Sequence, residues 1–153
     1  MVEVGGLLLT KVDRQHFYMF LREAAEAFEV AKQIVGKHDL ESFMRDIEAR
    51  YALRYALVLL VEALADAITL VLEADYDTAP ESYREAMLLA GEIGVVSYDD
   101  AVILARLASL RNMLVHRYWR IDDDRLYRET CKGLEVLGRV LEALKRYVET
   151  SDP

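Results

Sequence analysis

Cysteine, proline and side-chain amides are all scarce in this sequence. The single cysteine, Cys131, has no second thiol to pair with and no companion thiolates for a metal, which excludes a secreted disulfide scaffold and a zinc finger. The two prolines, Pro80 and Pro153, leave residues 1–79 and 81–152 free of the residue that most strongly interrupts helices. Gln15, Gln33 and Asn112 are the only amides, and beside abundant Glu and Arg they give a thermophile-like composition. A long uncharged apolar run is also missing. The most apolar stretch, Tyr51 to Leu72, is broken by Arg54, Glu62 and Asp66, so it reads as a buried helix and no membrane span is expected. The opening MVEVGGLLLTKVDRQ has three consecutive leucines and no basic n-region. No signal peptide is expected from it, and the cytoplasm is the expected compartment.

Basic charge is in deficit too, with 19 Lys plus Arg against 27 Asp plus Glu and a net charge of −8. Nucleic acid is held largely by cations that displace counterions, so this balance disfavours a general nucleic-acid coat protein. A local basic site is still allowed. With 54% apolar and 30% charged residues in 153, the chain has the apolar surface for a core, and disorder is excluded. Its length fits a single domain over residues 1–153, with a core from about 11 to 149.

Strand-like alternation is absent over any long window, so helix is expected nearly everywhere. A first helix spans about Lys11 to Val35 and stops at Gly36, and Asp39 caps a second from about Leu40 to Glu73. The second carries Asp46, Arg50, Arg54, Glu62, Asp66, Thr69 and Glu73, mostly four apart. This is a narrow polar stripe on a cylinder buried around most of its circumference. After a turn at Asp75–Pro80 a short helix runs to about Ala90, and Gly91 and Gly94 end it. Ser97-Tyr98-Asp99-Asp100 resembles a capping box for a fourth helix, the third of the long ones, reaching about Trp119. Asp122-Asp123-Asp124 then opens a last helix, ending near Val148, with acids at the positive end of its dipole. The fold class is all-α: a bundle of four long helices plus a short one.

Chemistry concentrates late in the chain. From Ala101 to Ile121 there are four arginines, Arg106, Arg111, Arg117 and Arg120, and no acid. Since the whole chain carries −8 and this segment +4, the remainder carries −12. Asn112 and His116, four apart, share a helix face, while Arg111 and Tyr118, seven apart, share another. One regular helix therefore cannot aim all four at a small target, whereas two copies meeting across a two-fold axis would build a shared cleft. Histidine can exchange a proton with a ribose 2′-hydroxyl or a leaving 5′-oxygen. Arginine can hold a phosphate and stabilise the charge of a pentacoordinate transition state. Asn112 could orient the imidazole or bind phosphate. Such a set suffices for cleavage of RNA without a metal. DNA, lacking the 2′-hydroxyl, would be spared. Against this stands the plainer reading of a His and a Tyr satisfied within a core or interface.

The run Arg111-Asn112-x-x-x-His116-x-Tyr118 resembles the R-x4-H-x-Y motif of HEPN-domain proteins, specifically the HepT-like toxins of HepT/MntA toxin–antitoxin systems. The resemblance extends to Arg50-Tyr-Ala-Leu-Arg-Tyr-Ala-Leu, to Glu62 and Asp66, to Pro80-x-Ser82-Tyr83 and to Tyr118-Trp119-x-Ile121-Asp122, covering about Val12 to Val148. It implies a homodimeric HEPN bundle and a metal-independent endoribonuclease of a type VII-like pair, with no cofactor. Arg111 and His116 would be catalytic, and Asn112, Arg117 and Arg120 supporting. Tyr118 would be the hydroxyl that an MntA-like nucleotidyltransferase antitoxin modifies with AMP. The implied partners are an RNA substrate, that antitoxin and a second copy, with a higher assembly possible. The alternative is a non-catalytic HEPN bundle that binds a nucleotidyltransferase or a nucleotide.

Four further features are read structurally. Asp13-x-x-His16 is half of a bundle metal motif with no second half, so no metal site is expected. Glu62 and Asp66 are expected to pair with Arg50, Arg54 or Arg111. Cys131 is expected in the core. Tyr51 and Tyr55 are expected there too, rather than forming a base-stacking platform.

Overall fold

The computed structural model describes residues 2–4, 7–116 and 118–150, with side chains for 10–116 and 119–149. The helical elements are α1 (Arg14–Lys37), α2 (Leu40–Arg45), α3 (Ile47–Tyr76), α4 (Tyr83–Glu92), α5 (Tyr98–His116) and α6 (Asp123–Thr150), with a 3-10 turn at Tyr118–Arg120 between the last two. The four long helices are those expected. A small antiparallel hairpin precedes them, β1 (Val2–Val4) pairing with β2 (Leu7–Leu9) in the register Val2 to Leu9.

Short polar side chains set the helix starts by accepting an orphan backbone N–H. Asp13 accepts from His16 N, Asp39 from Ser42 N, Ser82 from Glu85 N and Ser97 from Asp100 N. Asp46 does the same for Ala49 N. This splits the expected second helix: Asp46 is not part of a polar stripe but the cap where α2 ends and α3 begins. Gly36 does not end α1, which continues to Lys37. The expected helix to Trp119 stops at His116.

The core is organised around α3, which packs on α1, α4, α5 and α6. Leu53, Leu57, Leu60, Leu64, Ile68 and Leu72 recur at spacings of three and four and are fully buried. Each contributes roughly 1.5–3 kcal/mol through apolar burial. Among the described residues α3 is the one helix long and apolar enough to cross a membrane, but 61% of its most apolar window is buried inside this bundle. At Gly91 an added Cβ would lie 2.6 Å from the Ala101 Cβ, so the end of α4 can lie against the start of α5 only with glycine there.

One end of the bundle is clasped by Asp75, near the C-terminus of α3. Its carboxylate accepts from Thr10 Oγ1 at 2.5 Å, Lys11 N at 2.7 Å and Tyr147 Oη at 2.6 Å, joining the segment before α1 to the last turns of α6. Burial works to raise its pKa, but these donors outweigh that and hold it below the ordinary carboxylate range.

Candidate functional site

The buried face of α5 carries Leu104, Leu107, Ala108, Leu110 and Leu114 into the core, leaving its polar residues on the remaining faces. Arg111 is held on three sides. Its Nε donates to Glu62 Oε1 at 3.1 Å and its Nη2 reaches the same oxygen, while Nη1 donates to Asn112 Oδ1 at 3.2 Å. The guanidinium also lies over the Tyr83 ring, 4.7 Å from its centroid. Of the five N–H donors of an arginine, these contacts use three and leave two. The arginine side chain is 13% exposed, so it is a preorganised donor and not a free surface charge.

Tyr83 is half-buried, and its pKa is raised by burial first, then by the carboxylates of Asp66 and Glu62, with Arg111 opposing. Asp66, one turn beyond Glu62, is not paired with an arginine among the described residues. Burial raises its pKa, and the negative charges of Glu62 and Glu23 add to this. The expected ion pairing thus holds for Glu62 alone.

Asn112 and His116 are exposed. Because α5 is regular through His116, the imidazole lies about 140° around the helix from Arg111. One copy therefore does not converge the two on a point. Tyr118 belongs to the 3-10 turn and not to the helix, so the expected face shared with Arg111 does not follow. Its side chain and all of Arg117 lie outside the described residues. Arg120 is exposed, and Trp119 is 66% exposed.

Arg50 and Arg54 turn away from this cluster to one carboxylate, Asp123, which is 5% exposed. Arg54 donates from Nε and Nη2 at 2.8 and 2.5 Å, and Arg50 from Nη1 at 3.3 Å. Burial pushes Asp123 up, but the hydrogen bonds and charge of Arg54 and then Arg50 prevail and depress its pKa. This knot ties α3 to the first turn of α6.

Tyr51, Tyr55 and Cys131 do not take the core positions expected of them. Tyr51 and Tyr55 are 55% and 66% exposed, and with Ile47 and Leu59 they form an outward stripe at every fourth residue of α3. Tyr51, Arg54, Tyr55, Val58 and Leu114 line a shallow 290 Å³ hollow beside the end of α5. Cys131 is exposed on α6, not in the core. His16 bonds to Asp13 at 2.7 Å, and His38 to Ser42 at 2.9 Å, both around helix starts. Among the described residues no group of three or more His, Cys, Asp or Glu is placed to hold a metal ion. Tyr83 belongs to the resemblance, yet its place beneath Arg111 has no local signal in the sequence.

This fold is shared with known proteins. The model of the family described as "Ribonuclease HepT-like" matches residues 24–144, and the chain belongs to that family. No curated protein matches it. Among solved structures it is similar to the cytosolic protein of unknown function YutE from Bacillus subtilis, with a TM-score of 0.80 at 22% identity, covering 93% of this chain and 94% of that one. It is also similar to a tri-AMPylated Shewanella oneidensis HEPN toxin in complex with MNT antitoxin, with a TM-score of 0.75 at 18% identity, covering 85% and 96%. A third, a toxin–antitoxin structure with AMP-PNP, has a TM-score of 0.74 at 16% identity, covering 84% and 97%. At these identities the likeness concerns the fold, an all-α HEPN bundle.

Proposed function

We propose that this HepT-like chain is the toxin of a toxin–antitoxin pair and a metal-independent endoribonuclease working in the cytoplasm as a homodimer. The observation that carries the reading is the anchoring of Arg111. A guanidinium fixed by Glu62, Tyr83 and Asn112 can meet a phosphate with little reorganisation, which is how electrostatic stabilisation lowers a barrier. His116 is the proton-transfer group, taking the 2′-hydroxyl proton or supplying one to the leaving 5′-oxygen. Asn112, Arg117 and Arg120 support the phosphate.

The separation of Arg111 from His116 around α5 is resolved if the second copy supplies one of them. The outward stripe of Ile47, Tyr51, Tyr55 and Leu59 reaches Leu114 at the end of α5 and offers an apolar, self-complementary face for a two-fold axis. Tyr118 is the acceptor for AMP from an MntA-like nucleotidyltransferase. The added phosphate beside the arginines would occupy the substrate's place and repel RNA.

The test is RNA cleavage by unmodified protein, made without its antitoxin, in the presence of a chelator. His116→Ala is expected to lose roughly a hundred- to ten-thousandfold in rate. Equal cleavage by wild type and variant would overturn the catalytic assignment. Binding of nucleotide or nucleotidyltransferase without cleavage would point to the non-catalytic bundle instead.

A further inference from the structure

A second basic site lies outside the Arg111 cluster, on the other side of α5. Arg84, Leu88, Arg106, Ser109 and Arg125, with neighbouring residues of α4 and α5, line a basin of 470 Å³ between α4, α5 and the first turn of α6. No carboxylate lines it. Among the described residues Arg84 and Arg106 have no ion-pair partner, and Arg125 bonds only weakly, from Nη1 to Met113 Sδ at 4.0 Å, besides its helix-capping N–H. In a chain of net charge −8, where Arg111 is closed on Glu62 and Arg50 and Arg54 on Asp123, three arginines facing one hollow without a counter-ion among the described residues are a site for a polyanion.

The place of the basin says which polyanion. Counting 100° per residue along α5, Ser109 is about 20° and Arg106 about 80° from His116, so all three share a face, while Arg111 lies on the opposite one. At 1.5 Å per residue, His116 is about 10 Å along the helix from Ser109 and about 15 Å from Arg106. Met113, touched by Arg125, is three residues from His116. The basin is therefore a continuation of the histidine face, within a few backbone units of a strand passing His116. The first turn of α4 links the two regions, since Tyr83 lies under Arg111 and Arg84 enters the basin.

We propose that this basin is a second phosphate site, holding backbone phosphates of the same RNA strand whose scissile bond lies at His116. It makes the enzyme prefer a chain over a short fragment, and it recognises the backbone without reading bases. The inference rests on the ribonuclease reading for the identity of the strand, but not for the existence of the site.

A labelled single-stranded deoxyoligonucleotide of mixed sequence keeps the backbone but lacks the 2′-hydroxyl, so its binding can be followed without cleavage. Its affinity is measured by anisotropy across a salt series for wild type, for Arg84→Ala with Arg106→Ala, and for a charge-matched control, Arg45→Ala with Lys132→Ala, on exposed surfaces of α2 and α6. Single-strand binding weakens with salt with a log–log slope of about 0.7 for each phosphate contacted. The basin variant is expected to show a slope shallower by about 1.4 and roughly tenfold weaker binding at low salt, with the control unchanged. Equal slopes in the basin and control variants would overturn the proposal, as would failure of wild type to bind the strand. A parallel titration with ATP separates the other source of phosphate. Loss of ATP binding in the basin variant with an unaltered strand slope would make this a mononucleotide site and overturn the proposal. RNA cleavage is scored separately. The slope effect without cleavage supports the basin while the ribonuclease reading fails, and cleavage without the slope effect does the reverse.

Discussion

Arg50 and Arg54 share a carboxylate that is 5% exposed, whereas Arg84, Arg106 and Arg125 share a hollow with no carboxylate in its wall. Both groups join separate helices, and both lie close to the N-terminus of α6. The first has its counter-ion within the fold, so its charge is used in holding α3 against α6. The second leaves its charge unmatched until something anionic arrives. Arg111 stands between these cases, anchored by Glu62 yet retaining two donors. What separates structural from ligand-directed arginines here is whether the fold supplies the partner, not the number of arginines or their exposure.

The sharpest way to break this comparison is Asp123→Ala, which strands two partly buried cations. Removing one partner of a buried ion pair costs about 3 kcal/mol or more, and a denaturant melt should show it. The pH dependence follows the same carboxylate. Its folded pKa is depressed, so its stabilisation is present above the unfolded value of about 3.9 and is lost as pH falls through the folded pKa. In Asp123→Ala that acid-dependent loss should be absent.

A smaller effect, about 1.5 kcal/mol, is expected for Glu62→Gln, which replaces a charge-assisted pair with a neutral one. RNA cleavage should fall with it, because Arg111 loses its anchor. Smaller again is Asp66→Asn, with the opposite sign. Burial and the neighbouring Glu62 and Glu23 raise the Asp66 pKa, so its ionised form opposes folding at neutral pH and the wild type gains stability on acidification through that raised pKa. The Asn variant should be more stable by roughly 0.5–1 kcal/mol at neutral pH and should lack that gain. Least of all, Arg84→Ala with Arg106→Ala should stay within about 0.5 kcal/mol of wild type for each substitution, since neither side chain has a charge partner among the described residues.

Local chemistry made much of the fold legible. Asp39 and Ser97 are short acceptors directly before apolar-periodic runs, and both cap helices as their positions imply. Asp46 has the same chemistry, but it stands inside a run that is helical on both sides, so periodicity masks the break. Gly36 shows the converse: glycine tolerates a helical conformation, and α1 passes through it. The hairpin escapes a long-window reading because each strand has three residues.

For the site, the acid-free arginine run marked α5, and the Glu62 to Arg111 pair was among the pairings its charges allowed. The stripe of Tyr51 and Tyr55 was not legible, because an aromatic four residues from another looks the same in sequence on a buried face as on an outward one. Nor was the basin. Arg84, Arg106 and Arg125 are each unremarkable in sequence, and only the packing of α4, α5 and α6 brings them to one wall.

The clasp at Asp75 has a kinetic consequence. One carboxylate closes two long loops, back to Thr10 and forward to Tyr147, spanning nearly the whole helical part of the chain. Contacts so distant in sequence carry a loop-closure entropy that the rest of the bundle must already have met. They therefore form late and part early, as a seam where the native state opens while the α3 core stays shut. Amide exchange at Lys11 should consequently report this partial opening, whereas the middle of α3 should report only complete unfolding.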